Sequence, residues 1–349
     1  MLDFYVGDTA KKQIEQNGIT PELFTTFLGA SGGPKWFSLF GLDKYLFGEF
    51  FKDRVQPLDM LGSSAGAFRT ACFAQKDPVK AITELATRYS ETDFSDKVTA
   101  LELTQMAENM MTHIFSQEGL QQIKNNPIFR PHFIVAKANG LVSFENKLLQ
   151  GVGLASSIIL NKISRRNLNL QYQRFVFKPK SSDIKIEDPF QINTQYLNFS
   201  EQNIKPALLA SGAIPYVMAG IPNIPGAPTG MYRDGGVIDY HFDLQLNSSG
   251  LTLYPHFNKY PKAGWFDKNL SRNASKKSYD RTLMLVPSDQ FIANLPHQKI
   301  PDRKDFETLP YQQRLSYWRT VFKETERLAE EFDRVISAQD LSVLKPLPF

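Results

Sequence analysis

Cysteine is nearly absent from this chain: Cys72 stands alone among 349 residues. No intrachain disulfide can form, which fits a reducing compartment better than a secretory one. Long apolar runs are missing too. The stretch VGLASSIIL reaches about half of the roughly 18 residues that a bilayer-spanning helix needs. The opening residues, MLDFYVGDTAKKQIEQ, lack the charged-then-apolar order of a secretory signal. These absences predict a soluble, cytoplasmic protein whose contact with membranes is peripheral; export without a cleaved signal would leave no mark of this kind. Histidine is scarce, with five in the chain, and no spacing of His, Cys, Asp and Glu marks a catalytic metal. No cofactor is expected.

A strong charge of one sign is also lacking. The formal net charge of +4 is mild for this length and gives no reason to expect a nucleic-acid partner. Its distribution is uneven. Residues 161 to 180 carry Lys162, Arg165, Arg166, Arg174, Lys178 and Lys180 without an acid. Residues 259 to 281 carry seven bases against Asp267 and Asp280, with Trp265 and Phe266 in their midst. Bases beside exposed aromatic rings suit an anionic membrane surface, and a solvated basic loop is the alternative.

What the chain does have is an ordinary globular composition, 42% hydrophobic and 22% charged, with 27 phenylalanines. So much aromatic area predicts a large core, although some rings could line an apolar pocket or face lipid. No repeat, low-complexity tract or linker divides the chain.

The apolar Leu23 to Leu28 reads as a short strand, followed by a glycine turn and a helix in which Pro34 takes the first position. The design then repeats: PLDMLG is a strand, SSAG a turn, and AFRTACFA the start of a helix. Two such units argue for an α/β fold with a mainly parallel sheet. Further strands are read at Phe133 to Ala138, at YQRFVFKP and at RTLMLVPS. Residues 77 to 126 read as helices whose Met106, Met110 and Met111 pack as core or form an adaptable lid, with core the expectation. One amphipathic helix is read at about 311–337, with Trp318, Phe322, Leu328, Phe332 and Ile336 on its apolar face.

Within the second unit, Gly62-Ser63-Ser64-Ala65-Gly66 fits G-x-S-x-G with Ser64 at its centre. A serine on a sharp strand-to-helix turn holds its hydroxyl clear of the sheet, and small residues two positions either side avoid collision. The strand before and the helix after are the context this chemistry needs, so Ser64 is the candidate nucleophile. An oxyanion forming on an attacked ester calls for fixed donors, which backbone amides at a glycine-rich helix start provide. The loop Gly29 to Lys35, with Gly32 and Gly33, is such a start; a phosphate nest or plain turn is the alternative. It is not a P-loop, because the required lysine and Ser/Thr spacing is missing. A base is still wanted. Asp234 before Gly235 and Gly236 is the candidate, although Asp-Gly-Gly is also a common self-capped turn.

The order of glycine loop, G-x-S-x-G, Ala210-Ser211-Gly212-Ala213-Ile214-Pro215 and D-G-G resembles the patatin-like phospholipase family, which is related in fold and dyad to the cytosolic calcium-regulated phospholipases. The resemblance covers about residues 24 to 75, 132 to 140 and 198 to 245. It implies a three-layer α/β/α fold and a Ser-Asp dyad without histidine. Ser64 would be the nucleophile, Asp234 its base, and the amides around Gly32 and Gly33 the oxyanion hole. The substrate would be a phospholipid or other acyl lipid. Residues 1–349 would then form a single catalytic domain with a helical insert at about 77–126. Two positions depart from the family's loop: Ser31 stands where its first glycine would be, and Trp36 where its last would be.

Other readings stay open on the sequence alone. The acyl-enzyme could pass its chain to an alcohol instead of water, or the fold could bind lipid without turnover. His241 or His256 could complete a Ser-Asp-His triad of an esterase or thioesterase. His113, His132 and His297 show no ligand spacing.

Overall fold

The computed structural model describes residues 1–93 and 98–349. The chain is an α/β protein built on a mainly parallel sheet flanked by helices. Nine strands follow one another across the sheet: 344–346, 2–6, 282–287, 251–255, 24–29, 58–63, 129–138, 172–178 and 194–198. The four central pairings, from 282–287 through to 129–138, are parallel. Strand Leu2–Val6, unmarked in the sequence reading, pairs antiparallel with Thr282–Pro287.

Alternate side chains of these strands enter separate cores. Phe4, Phe27, Met60, Phe133 and Leu285 face one side, where they meet the helices Asp8–Asn17, Phe40–Tyr45, Ala65–Phe73 and Pro78–Ser90. Tyr5, Leu28, Leu61, Ile134 and Met284 face the other. Both faces are therefore covered, as near-continuous apolar strands of a parallel sheet require. The phenylalanines go mainly to the first core, where rings such as Phe47 and Phe73 stack with centroids 3.7 Å apart.

A buried ion pair fixes the helix that follows Ser64. Arg69 on Ala65–Phe73 donates Nε to Asp43 Oδ2 at 2.8 Å and Nη2 to Oδ1 at 2.6 Å, with both side chains fully enclosed. Burial pushes the Asp43 carboxyl upward while Arg69 pulls it back. Such a pair adds geometry more than stability, because desolvation offsets most of its attraction.

Several sequence expectations need correction. The helix read at 311–337 is broken into Tyr311–Glu324 and Glu326–Ala338 at Thr325. There the Gly41 amide donates to Thr325 Oγ1 at 3.0 Å, and the Phe40–Tyr45 helix crosses so closely that a Cβ on Gly41 would lie 2.5 Å from the Thr325 carbonyl carbon. The acid-free run 161–180 is not a basic surface throughout: Arg165 and Arg174 are buried against acids from elsewhere in the chain. Arg174 meets Asp239 and Asp188, each at 2.6 Å, and Arg165 meets Asp267 at 3.2 Å. Nor do both aromatic rings of 259–281 reach solvent. Phe266 is buried beside Tyr172, and Asp267 under it collects Arg165, Arg272 and Asn161. Within 77–126 lie Pro78–Ser90, Ala100–Ile114 and Gln117–Asn125, residues 94–97 falling outside the described residues. Met111 is core, whereas Met106 and Met110 are half-buried and border a groove.

Ala normally favours a helix over Gly by about 1 kcal/mol. At Gly41 the sign should reverse, because the neighbour is the Thr325 backbone and cannot yield: Gly41→Ala is expected to destabilise the protein by about 1–3 kcal/mol in urea unfolding.

Candidate active site

Ser64 ends the strand Leu58–Ser63 and begins the helix Ala65–Phe73 at φ 54°, ψ −126°, a conformation that side chains other than glycine rarely adopt. Glycines make that turn possible. A Cβ on Gly66 would lie 1.7 Å from the Gly29 carbonyl oxygen, and one on Gly62 would lie 2.5 Å from the Gly66 carbonyl oxygen. The helix thus starts in backbone contact with two strand ends. Ser211, from the Ala210 to Pro215 segment, accepts the Ser64 amide at 3.0 Å and donates its hydroxyl to Ile134 O at 2.7 Å. In the sequence Ser211 is marked only as part of the Ala210 to Pro215 segment, with no role of its own.

Sheet register explains how Asp234 reaches Ser64. Strand Phe129–Ala138 pairs with 58–63 through its first half, Ser63 lying opposite Ile134. Beyond that point the same lane is taken by Met231–Asp234, running antiparallel, with Asp234 opposite Val135. The two strands end head-on, one residue apart in register. Ser64 Oγ donates to Asp234 Oδ2 at 2.7 Å, and the Gly236 amide donates to Oδ1 at 2.6 Å. Asp234 therefore caps its own turn with one oxygen and holds the serine with the other. A Cβ on Gly235 would strike Ile134 O at 2.2 Å, so the acid must be followed by glycine. Burial pushes the Asp234 carboxyl up to about 6, while the bonds from Ser64 and Gly236 and the charges of Arg303 and Lys268 pull against it.

The glycine loop lies alongside. Gly32 and Gly33 take φ 154° and 56°, and among the described residues neither amide donates to a protein acceptor. Both border cavities that share Ser64. Ser31, one of the two departures from the pattern the sequence resembles, donates to Ser63 O at 3.1 Å and so ties this loop to the strand that leads into Ser64. Trp36, the other, is buried against Phe37 and Phe40 and forms a wall of the apolar cavity. Pro34 opens a 3-10 helix, Gly33–Leu39, where an α-helix was expected.

Ser64 sits between two unlike spaces. One, of about 210 Å³, is polar and lined by Lys35, Lys268, Asp302, Arg303 and Trp265. The other, of about 120 Å³, is apolar and lined by Trp36, Phe68, Leu85, Met110 and Leu209. Ile214, Met110 and Met218 of the second also border a wider groove along Ala100–Ile114. In the polar space Lys35 pairs with Asp302 at 3.3 Å. Among the described residues, Lys268 and Arg303 form no ion pair. The Lys268 ammonium lies 3.9 Å from the centroid of the Tyr240 ring, and desolvation, aided by Lys35 and Arg303, pushes its pKa down to about 7. Lys268 belongs to the basic run 259–281, whose pattern points to a surface and not to this space, and Arg303 belongs to no motif.

The two histidines weighed for a triad are buried and bonded elsewhere. His241 Nδ1 accepts the Lys262 amide at 3.0 Å, and His256 Nδ1 accepts the Asn258 amide at 2.9 Å. Burial holds both well below the usual histidine range, His256 at about 3. Their rings touch each other with centroids 4.4 Å apart, and no hydrogen bond joins either to Ser64 or Asp234 among the described residues. Nor do the described residues contain a group of three or more His, Cys, Asp or Glu able to hold a metal ion.

No family model matches the chain, and no curated protein does. Among solved structures, the human GIVD cytosolic phospholipase A2 is similar at 12% identity, over 96% of this chain and 62% of that one, with a TM-score of 0.38. The chain thus spans less than two thirds of the length of that structure.

Ser211→Ala leaves the buried Ser64 amide and Ile134 carbonyl without their partner. A loss of about 1–3 kcal/mol in urea unfolding is expected, measured beside Ser211→Thr, which keeps the hydroxyl.

Proposed function

We propose that the protein is a serine lipid acyl hydrolase of the phospholipase A or lysophospholipase type, acting through Ser64 and Asp234. The observation that carries this is the 2.7 Å Ser64–Asp234 hydrogen bond at a strained elbow, set between a cationic and an apolar cavity. As Ser64 Oγ attacks the ester carbonyl carbon, Asp234 Oδ2 takes its proton. The oxyanion meets the amides of Gly32 and Gly33. Collapse breaks the bond to the leaving alcohol, and Asp234 returns the proton to that oxygen. Water then attacks the acyl-serine, with Asp234 again as base, and frees the fatty acid. Histidine has no step in this cycle, in keeping with the separate bonding of His241 and His256.

The unlike cavities support a lipid with two ends. The acyl chain takes the apolar space beside Phe68, Leu85 and Met110. An acidic headgroup takes the polar space, where Lys268 and Arg303 lack an acid of their own.

Intact mass after treatment with a long-chain fluorophosphonate tests the nucleophile: one adduct is expected on the wild type and none on Ser64→Ala. Asp234→Asn should lower turnover of a short-chain aryl ester by about 10²–10⁴-fold. An adduct that persists on Ser64→Ala refutes the assignment.

Asp234 acts as a base only when ionised. The kcat/KM of the free enzyme should therefore rise with pH through about 6 and level off above it. Lys268→Ala should lower kcat/KM about tenfold for an anionic phospholipid and far less for an uncharged monoacylglycerol, the size expected for one charge-assisted contact.

A further inference from the structure

The helix Lys147–Ile163 is amphipathic in the opposite sense to a core helix. Its buried face carries Gln150, Gly153, Ser157 and Asn161, with Leu154 its one large apolar side chain. Its solvent face carries Leu148, Val152, Ile159 and Ile163, exposed by 75%, 53%, 61% and 73%. Leu149 and Ile158 widen the stripe, and Phe144 extends it past the amino-terminal end. Monomeric soluble proteins seldom leave so continuous an apolar surface uncovered.

The helix cannot roll its apolar side inward. Gln150 donates to Phe144 O at 2.9 Å and accepts the Tyr216 amide at 2.7 Å; Ser157 donates to Gln171 at 2.6 Å, and Asn161 to Asp267 at 2.9 Å. Rotation would strand these buried polar groups, each at the cost of its lost partner.

We infer that this face docks the protein on an anionic phospholipid bilayer. The charges favour that occupant: the helix holds no acid, exposed Lys147 and Lys162 stand at its two ends, and exposed Arg166 follows. None of the three is in an ion pair among the described residues. An apolar stripe with cationic ends is the pattern of a helix lying in the headgroup layer. Its position agrees. Tyr216 lies on this helix, its hydroxyl donating to Lys147 O at 2.6 Å over Gly151, where a Cβ would lie 2.5 Å from it. The two residues before it, Ile214 and Pro215, line the polar cavity at Ser64. Docking through the stripe thus presents the cavity to lipid. The choice of a bilayer over a protein partner leans on the hydrolase reading, whereas the surface itself does not.

The test uses Ser64→Ala protein, which leaves vesicles intact, in co-sedimentation with phosphatidylglycerol–phosphatidylcholine vesicles. Adding Val152→Ser, Ile159→Ser and Ile163→Ser together is expected to weaken partitioning about tenfold or more. In the Ser64 background, the same triple change should leave turnover of a soluble aryl ester unaltered. A polarity-sensitive dye on Ile159→Cys, with Cys72 buried, should shift to the blue when vesicles are added. Unchanged partitioning in the triple variant overturns the inference, and so does a parent that ignores vesicles. A parent that sediments as a dimer, and becomes a monomer in the triple variant, assigns the face to a second copy instead. Binding through this face by a wild type inert to the fluorophosphonate would uphold the docking surface and sink the hydrolase.

Discussion

A serine at φ 54°, ψ −126° does not hold itself there. The conformation costs about 1–3 kcal/mol and persists only where its surroundings leave no other choice. Here the constraint is backbone touching backbone. Gly66 rests on the Gly29 carbonyl, Gly62 rests on Gly66, and the Ser64 amide is tied through Ser211 to Ile134. Strand Phe129–Ala138 is the common reference. It pairs with the serine strand, then with the Asp234 strand in the lane vacated, and its Ile134 carbonyl receives Ser211. A displacement of that strand would move serine and aspartate together. Their 2.7 Å separation is thus a property of the sheet more than of either loop.

Electrostatics around Asp234 follow from the same crowding. Burial alone would favour the neutral acid, and a neutral acid cannot take a proton. Two hydrogen bonds and the charges of Arg303 and Lys268 oppose burial and leave the group near 6, basic enough to accept a proton yet ionised at neutral pH. Those cations face a cost of their own. Lys35, Lys268 and Arg303 share one small space with Asp302 and Asp234, and desolvation first, then repulsion from Lys35 and Arg303, lowers the pKa of Lys268.

The fold class and the core of the site were legible because they are written locally. G-x-S-x-G and D-G-G are short, and their glycines answer to close backbone approach at Gly29, Gly66 and Ile134. The runs 57–62, 133–138 and 281–288 read as strands, whereas residues 129–132, which begin the second of them, did not. Long-range pairing was not legible. Arg165 and Arg174 read as surface charge because the acids that bury them lie outside the run, Asp239 and Asp267 65 or more residues from their arginines and Asp188 14 residues beyond Arg174. The break at Thr325 was hidden because the apolar period runs on through it and its cause lies on Gly41. Phe266 looked exposed because its neighbours in sequence are charged, whereas its neighbours in space are Tyr172 and the buried Asp267 network. Lys268 showed only as one base of the run 259–281, and Arg303 belongs to no pattern that spacing could reveal.

The helix Lys147–Ile163 is the instructive case. Its apolar residues fall at helical spacing, so a sequence reading assigns that stripe to the core by default. The default fails because the 3-10 segments beneath it, Arg165–Leu170 and Trp265–Asp267, bring polar groups to the contact. Asp267 and Gln171 ask for hydrogen-bonding partners, and Ser157 and Asn161 supply them. Each of those polar groups would cost about 1–3 kcal/mol if orphaned, comparable with what burying one aliphatic side chain returns. The apolar stripe is left outside, next to Tyr216 and the wall of the Ser64 cavity. What reads as amphipathicity directed at a core is, in the folded chain, amphipathicity directed away from it.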